Sequence, residues 1–140
     1  MNSLQQDKEK VEQQKVAVVT GSSSGIGQEI ALKLAKNDFL TYATMRDPKK
    51  GEYLKSLADK EKLSLKVVEL DVTKDLSVKN AIQTITDEAS RIDVLVNNAG
   101  YGLGGAFEDL EVVVVVLGDH YQPLLFMAMS IYNPFRTVLS

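Results

Sequence analysis

The chain has 140 residues, 44% hydrophobic and 25% charged, the composition of one ordinary globular domain with a single core. Sixteen basic against nineteen acidic residues leave no cationic surplus to neutralise a phosphate polymer, so nucleic acid is not expected as a partner. There is no cysteine, which removes disulfides, thiolate metal sites and cysteine nucleophiles together and fits a cytoplasmic protein.

Residues 1–14 read as a polar, solvated arm. They carry Lys8, Glu9, Lys10 and Glu12 where a signal peptide would have its apolar core. Val16 to Thr20 is a mostly β-branched run closed by a glycine-rich stretch, which suits a strand buried on both faces. Ile26, Ile30, Ala31, Leu34 and Ala35 follow at helical spacing, so a helix with one apolar stripe is expected up to Asn37. The pattern then repeats. Phe39 to Thr44 predicts a second strand, Asp47-Pro48 opens a helix carrying Tyr53, Leu54 and Leu57, and Leu65 to Leu70 predicts a third strand. Thr73 is placed to cap the next helix, whose apolar side carries Val78, Ala81, Ile82, Ile85 and Ala89. Ile92 to Val96 predicts a fourth strand ending at Asn97-Asn98-Ala99-Gly100. Four strands alternating with three helices imply a parallel sheet joined by right-handed crossovers. No internal repeat or linker interrupts it.

The turn Thr20-Gly21-Ser22-Ser23-Ser24-Gly25-Ile26-Gly27 lies between a predicted strand and a predicted helix, the setting in which glycines serve a dinucleotide. Gly21 permits the tight turn, Gly25 lets the backbone approach a pyrophosphate, and Gly27 allows close packing of the helix. Unpaired N–H groups at the helix start would face the phosphates, with the serine hydroxyls adding hydrogen bonds. In isolation such a turn is equally a serine/glycine loop without a ligand. Here it agrees with its neighbouring elements and with the landmarks downstream.

Gly-x-x-x-Gly-x-Gly in this setting, followed by Asp71-Val72 and by Asn97-Asn98-Ala99-Gly100, resembles the short-chain dehydrogenase/reductase family over about residues 15–110. The resemblance implies an α/β, doubly wound Rossmann-type domain of three αβα layers. It also implies an NAD or NADP cofactor and hydride transfer between that cofactor and a small alcohol or carbonyl substrate. Carried over by position, Gly21, Ser23, Ser24, Gly25 and Ile26 would line the pyrophosphate, with Gly27 beneath. Asp71 and Val72 would border the adenine, and Asn98, Ala99 and Gly100 would follow the ribose toward the nicotinamide. Alone, Asp71 reads as a turn residue and Asn97-Asn98 as a polar strand end.

NAD selection calls for an acidic side chain about 20 residues beyond the glycines, at the end of strand two. That place holds Thr44-Met45-Arg46-Asp47. Arg46 offers a permanently charged fork for a 2′-phosphate and Thr44 a hydroxyl, which favours NADP. The rival is Asp47 as ribose acceptor with NAD, Arg46 being then only a solvated strand end.

The family resemblance also implies a catalytic serine and a Tyr-x-x-x-Lys pair, and here the pattern departs. The fourth residue after Tyr42, Tyr53, Tyr101, Tyr121 and Tyr132 is Arg46, Leu57, Gly105, Leu125 and Arg136, never lysine. Pro134 breaks any helix joining Tyr132 to Arg136. His120 reads as a loop residue, and no metal-ligand cluster is evident. Val112 to Val116 is a β-branched run without helical amphipathicity, either a buried edge strand or an aggregation hazard. Neither it nor Leu124 to Ile131 reaches the ~20 residues of a membrane span. Residues 111–140 are an atypical apolar tail, compatible with homo-oligomer formation. We therefore expect a truncated or frame-shifted, catalytically incomplete form that diverges near Leu110. The alternative is a non-catalytic dinucleotide-binding module serving as a redox sensor or assembly partner.

Overall fold

The computed structural model describes residues 14–98 and, beyond them, the backbone of one strand at 113–116. In chain order the elements are β1 (Val16–Val19), α1 (Gly25–Lys36), β2 (Leu40–Met45), a 3₁₀ turn (Pro48–Gly51), α2 (Glu52–Glu61), β3 (Leu65–Glu69), α3 (Asp75–Ala89), β4 (Val94–Asn97) and β5 (Val113–Val116). The sheet order is β3-β2-β1-β4-β5. The first four strands are parallel, with Val18 opposite Tyr42 on one side and Leu95 on the other. The α/β Rossmann-type architecture is thus present. The four-strand parallel sheet is as expected, and the Val112–Val116 run supplies an edge strand: β5 runs antiparallel to β4, with Asn97 opposite Val113 and Val94 opposite Val116.

Alternation along the strands sorts the core into two layers, because successive side chains point to opposite faces. Val19, Ala43, Met45 and Val96 meet Ala31 and Leu32 of α1 and Leu54 of α2 on one face. Val18, Tyr42 and Leu95 meet Val78, Ala81, Ile82 and Ile85 of α3 on the other. β1 is buried throughout, as expected for a strand covered on both sides.

The α1 stripe follows the sequence expectation at Ile30, Ala31, Leu34 and Ala35 and departs from it at Ile26. Gly27, Ala31, Leu32 and Ala35 are its buried residues, whereas Ile26 is 54% exposed. Gly27, Ala31 and Ala35 let the helix come close to the sheet, Leu32 fills the core beside them, and Ile30 and Leu34 pack partly buried at the margin. Thr73 is likewise not the cap of α3. The N-cap is Lys74, without a side-chain bond, and Thr73 turns back to Asp71.

Two carboxylates tie distant segments. Asp93 accepts from the Val16 N–H at 2.8 Å and is paired with Arg91, while the Asp93 N–H donates to the Val16 carbonyl at 2.8 Å. This clasp fixes the amino ends of β1 and β4 together. Glu88 of α3 accepts from the buried Tyr42 hydroxyl at 2.9 Å and pairs with Lys66 of β3 at 3.4 Å.

Candidate functional site

Winding reverses between β1 and β4: β1, β2 and β3 step one way across the sheet and β4 lies on the other side of β1. In such sheets the crevice beyond the carboxyl ends, at the reversal, receives ligands. The glycine turn lies there. Gly21 leaves β1 with φ 64° and Gly25 opens α1 with φ 60°, both in the left-handed region that glycine alone enters cheaply. A Cβ built on Gly25 would meet no protein atom within 4 Å, so its backbone is open to the crevice. Gly27 is the opposite case. A Cβ there would fall 2.2 Å from the Gly21 carbonyl oxygen and 2.5 Å from the Asn98 amide nitrogen.

The turn is secured from beneath by side chains that point inward. The Ser22 N–H donates to the Thr44 carbonyl at 3.1 Å, and the buried Ser22 hydroxyl donates to the Val19 carbonyl at 2.7 Å. Thr44 donates its hydroxyl to the same carbonyl at 3.2 Å and is fully buried. Thr44 therefore cannot serve a ligand as the sequence suggested, and Ser22 is likewise a scaffold group. Ser24 is the N-cap of α1, extended in backbone, with no side-chain capping bond and no acidic residue in the first helical turn. The first N–H groups of α1 thus lack a local anion, a setting that suits a phosphate.

Thr20 links the two sides of the reversal. Its hydroxyl donates to the Asn97 side-chain oxygen at 2.9 Å and accepts from the Asn98 N–H at 2.9 Å. The Asn98 amide then donates to the Gly21 carbonyl at 3.3 Å. Thr20 and Asn97 were quoted in the sequence motifs without a role. A hydroxyl directly before the first glycine, aimed at an Asn-Asn strand end, was the available signal.

Arg46 and Asp47 leave the end of β2, both exposed. The Leu70 N–H donates to the Met45 carbonyl at 2.8 Å, which brings the β3 end, and with it Asp71, beside them. Asp71 accepts from the Thr73 N–H at 2.9 Å and from the Thr73 hydroxyl, and its own N–H donates to the Ser77 hydroxyl oxygen at 2.8 Å. Burial pushes the Asp71 carboxyl up, but the Thr73 bonds, with Lys74 and Arg46 nearby, outweigh it and hold the group below the usual carboxylate range. Asp71 is therefore an anion at neutral pH. Asp47 accepts from the Lys49 N–H at 3.1 Å and caps the 3₁₀ turn. Val72 is 3% exposed and packs in the α3-side core, so its side chain is a core group.

Of the residues singled out in the sequence, Gly21, Ser23, Ser24, Gly25, Ile26 and Gly27 share one turn, Asn98 reaches it from β4, and Arg46 and Asp71 lie along the same carboxyl edge. Ala99 and Gly100 lie outside the described residues. No helix among the described residues is long and apolar enough to cross a membrane.

A doubly wound αβα sheet with a glycine turn at its strand-order reversal defines the Rossmann class of domains. The short chain dehydrogenase family model matches residues 15–115, and the chain belongs to that family. It is 43% identical over 98 residues to an uncharacterized oxidoreductase, YusZ, of Bacillus subtilis (strain 168), covering 69% of this chain and 34% of the relative. Among solved structures it is similar to an actinorhodin polyketide ketoreductase with NADPH, at TM-score 0.63 and 29% identity over 71% of this chain and 38% of that one. It is also similar to a metagenomic short-chain oxidoreductase in complex with NADP, at TM-score 0.61 and 32% identity over 69% and 44%. The chain spans about a third of the length of the curated relatives it matches.

Proposed function

We propose that these residues form the cofactor-binding part of an NADP-dependent oxidoreductase acting between an alcohol and a carbonyl compound. The observation that carries this reading is the open α1 start at Gly25, facing the same carboxyl edge as the exposed Arg46. A pyrophosphate would rest on the Gly21–Gly27 turn, where the Gly25 backbone is bare and the first α1 N–H groups have no acidic competitor. Asp71 and Asn98 would border the adenine and the nicotinamide-side ribose. When bound, the nicotinamide would supply the hydride exchanged with the substrate carbon.

Arg46 favours NADP over NAD. Its guanidinium is a permanent cation suited to a 2′-phosphate, whereas Asp47 is already engaged as the cap of the 3₁₀ turn. Both solved relatives named above were obtained with the phosphorylated form, NADPH or NADP.

A second reading concerns catalysis. No tyrosine of this chain has lysine at the fourth place after it, so its residues supply the family's cofactor scaffold without the expected general acid/base pair. Loss of such a group lowers rates by ~10²- to 10⁴-fold. The chain would then bind the cofactor without appreciable turnover, as a catalytically incomplete form or as a binding module in its own right.

Fluorescence titration of the chain with NADPH and NADH tests both readings. NADPH is expected to bind at least ~10-fold tighter, one decade corresponding to about 1.4 kcal/mol, and Arg46→Asp to reverse the preference. An unchanged preference in Arg46→Asp removes the assignment of Arg46. Sustained oxidation of NADPH by carbonyl compounds would overturn catalytic incompleteness.

A further inference from the structure

The carbonyl of Val19, the last residue of β1, accepts from two side-chain hydroxyls, Ser22 of the glycine turn at 2.7 Å and Thr44 of β2 at 3.2 Å. Both side chains are fully buried. Thr44 is engaged a second time, because its carbonyl accepts from the Ser22 N–H at 3.1 Å. Val19, Ser22 and Thr44 thus close a small hydrogen-bonded ring beneath the turn. A carbonyl oxygen has two lone pairs, so it takes both hydroxyls, and removal of either one leaves it a partner.

Beyond Thr44 the chain is tied elsewhere. The Met45 carbonyl accepts from the Leu70 N–H at 2.8 Å, and the 3₁₀ turn after Arg46 sits so close to β3 that a Cβ on Gly51 would fall 2.8 Å from a Val67 methyl. Arg46 therefore leaves a strand end anchored to β3 on one side and, through Thr44, to the glycine turn on the other. It follows Thr44 by two residues, about 7 Å along an extended strand.

We propose that Thr44 is a positioning residue for cofactor choice: its hydroxyl holds the separation between the glycine turn and Arg46, and with it the preference for a 2′-phosphorylated dinucleotide. The inference rests on the assignment of the turn and of Arg46 to that cofactor. NADPH would be held at two points, its pyrophosphate on the turn and its 2′-phosphate at Arg46, whereas NADH has no phosphate to place at the second. Two linked contacts add fully when their spacing is set before the ligand arrives, and a loosened spacing must be restored on binding. NADPH loses affinity by that restoration and NADH does not, so loosening at Thr44 lowers the ratio of the two affinities.

Fluorescence titration of the full chain with NADPH and NADH, as wild type, Thr44→Val and Thr44→Ser, tests this, with urea midpoints measured alongside. Thr44→Val removes the hydroxyl at nearly unchanged shape and leaves the Val19 carbonyl its bond from Ser22, so the fold is expected to hold. Its NADPH-to-NADH affinity ratio is expected to fall about 3- to 10-fold, the worth of one hydrogen bond. Thr44→Ser keeps the hydroxyl and deletes a buried methyl, so it is expected to retain the ratio while lowering the urea midpoint. An unchanged ratio in Thr44→Val overturns the proposal. A ratio that follows the urea midpoint across the three chains also overturns it, since it then reports stability alone. Ser22→Ala loosens the same ring from the turn's side and is expected to lower the ratio as well; a ratio unchanged there overturns the proposal even if Thr44→Val does not fold. Arg46→Ala separates the two levels of the argument. A preference for NADPH that survives Arg46→Ala removes the underlying reading and this inference together, whereas a preference lost in Arg46→Ala but kept in Thr44→Val removes this inference alone.

Discussion

At Gly27 a methyl group would need space 2.2 Å from a backbone carbonyl and 2.5 Å from the Asn98 amide, and neither can yield without moving the turn. Gly27→Ala is expected to destabilise the fold by about 1–3 kcal/mol, the usual cost of forced overpacking, and to abolish NADPH binding. Urea unfolding and the fluorescence titration check the two effects separately. Thr20→Val should cost a similar ~1–3 kcal/mol, since it removes the hydroxyl that bonds both the buried Asn97 oxygen and the Asn98 N–H, while Thr20→Ser restores most of it. A denaturation series over the three chains would show that order. At this scale the sequence disclosed glycine identities well, because a steric demand for hydrogen at Cα is written in the residue itself. It disclosed hydroxyl direction poorly. Ser22 and Thr44 both turn to the Val19 carbonyl, a partner set by the pairing of β1 with β2 and not by any local pattern.

Helix endings set the next scale. α2 closes on Lys62 with φ 55°, a left-handed conformation for a side-chain-bearing residue, and the Leu63 N–H then donates to the Ala58 carbonyl at 2.8 Å. Left-handed backbone costs about 1–2 kcal/mol for ordinary residues and little for glycine. Lys62→Gly is thus expected to stabilise the protein by roughly 0.5–1 kcal/mol after glycine's entropy loss in folding, readable as a raised Tm. The existence and order of strands β1 to β4 and helices α1 to α3 were legible, because β-branched runs and helical spacings alternate along the chain. The face of α1 that meets the sheet was legible through Ala31 and Ala35, with Ile30 and Leu34 packed at its margin, but the exposure of Ile26 and the burial of Leu32 were not, because helical spacing does not fix how far a stripe is rotated against the strands. The Val112–Val116 run announced a strand, but its antiparallel direction depends on pairing with β4 and has no signature in five like residues.

For the whole molecule, acidity tests the two anchoring carboxylates together. At Asp93 burial acts upward, but Arg91, the Val16 N–H and Lys15 prevail and lower it; Asp71 is lowered likewise. Groups with depressed folded values contribute fully above the unfolded value near pH 4 and lose that contribution as pH falls through the folded values. Stability should therefore decline below about pH 4, and Asp93→Asn should flatten that acid limb in urea midpoints measured against pH. Tyr42 acts at the other end. Burial, then its bond to Glu88, pushes the phenol above its ordinary range, so its contribution is whole below about pH 10 and fades as pH rises further. Tyr42→Phe is expected to make the alkaline limb less steep. The clasp between Asp93 and Val16 also sets a timetable for the chain during synthesis. β1 is the central strand of the five-stranded sheet, yet one of its two partners is β4, joined through bonds that span 77 residues. At roughly 5–20 residues per second, β1 leaves the ribosome several seconds before β4 is made. Throughout that interval a central strand is an edge, with Ala17, Val18 and Val19 open to pairing with any neighbouring nascent chain. A holdase chaperone acting on this protein would have its main task in those seconds, and slowing translation between β3 and β4 should raise aggregation.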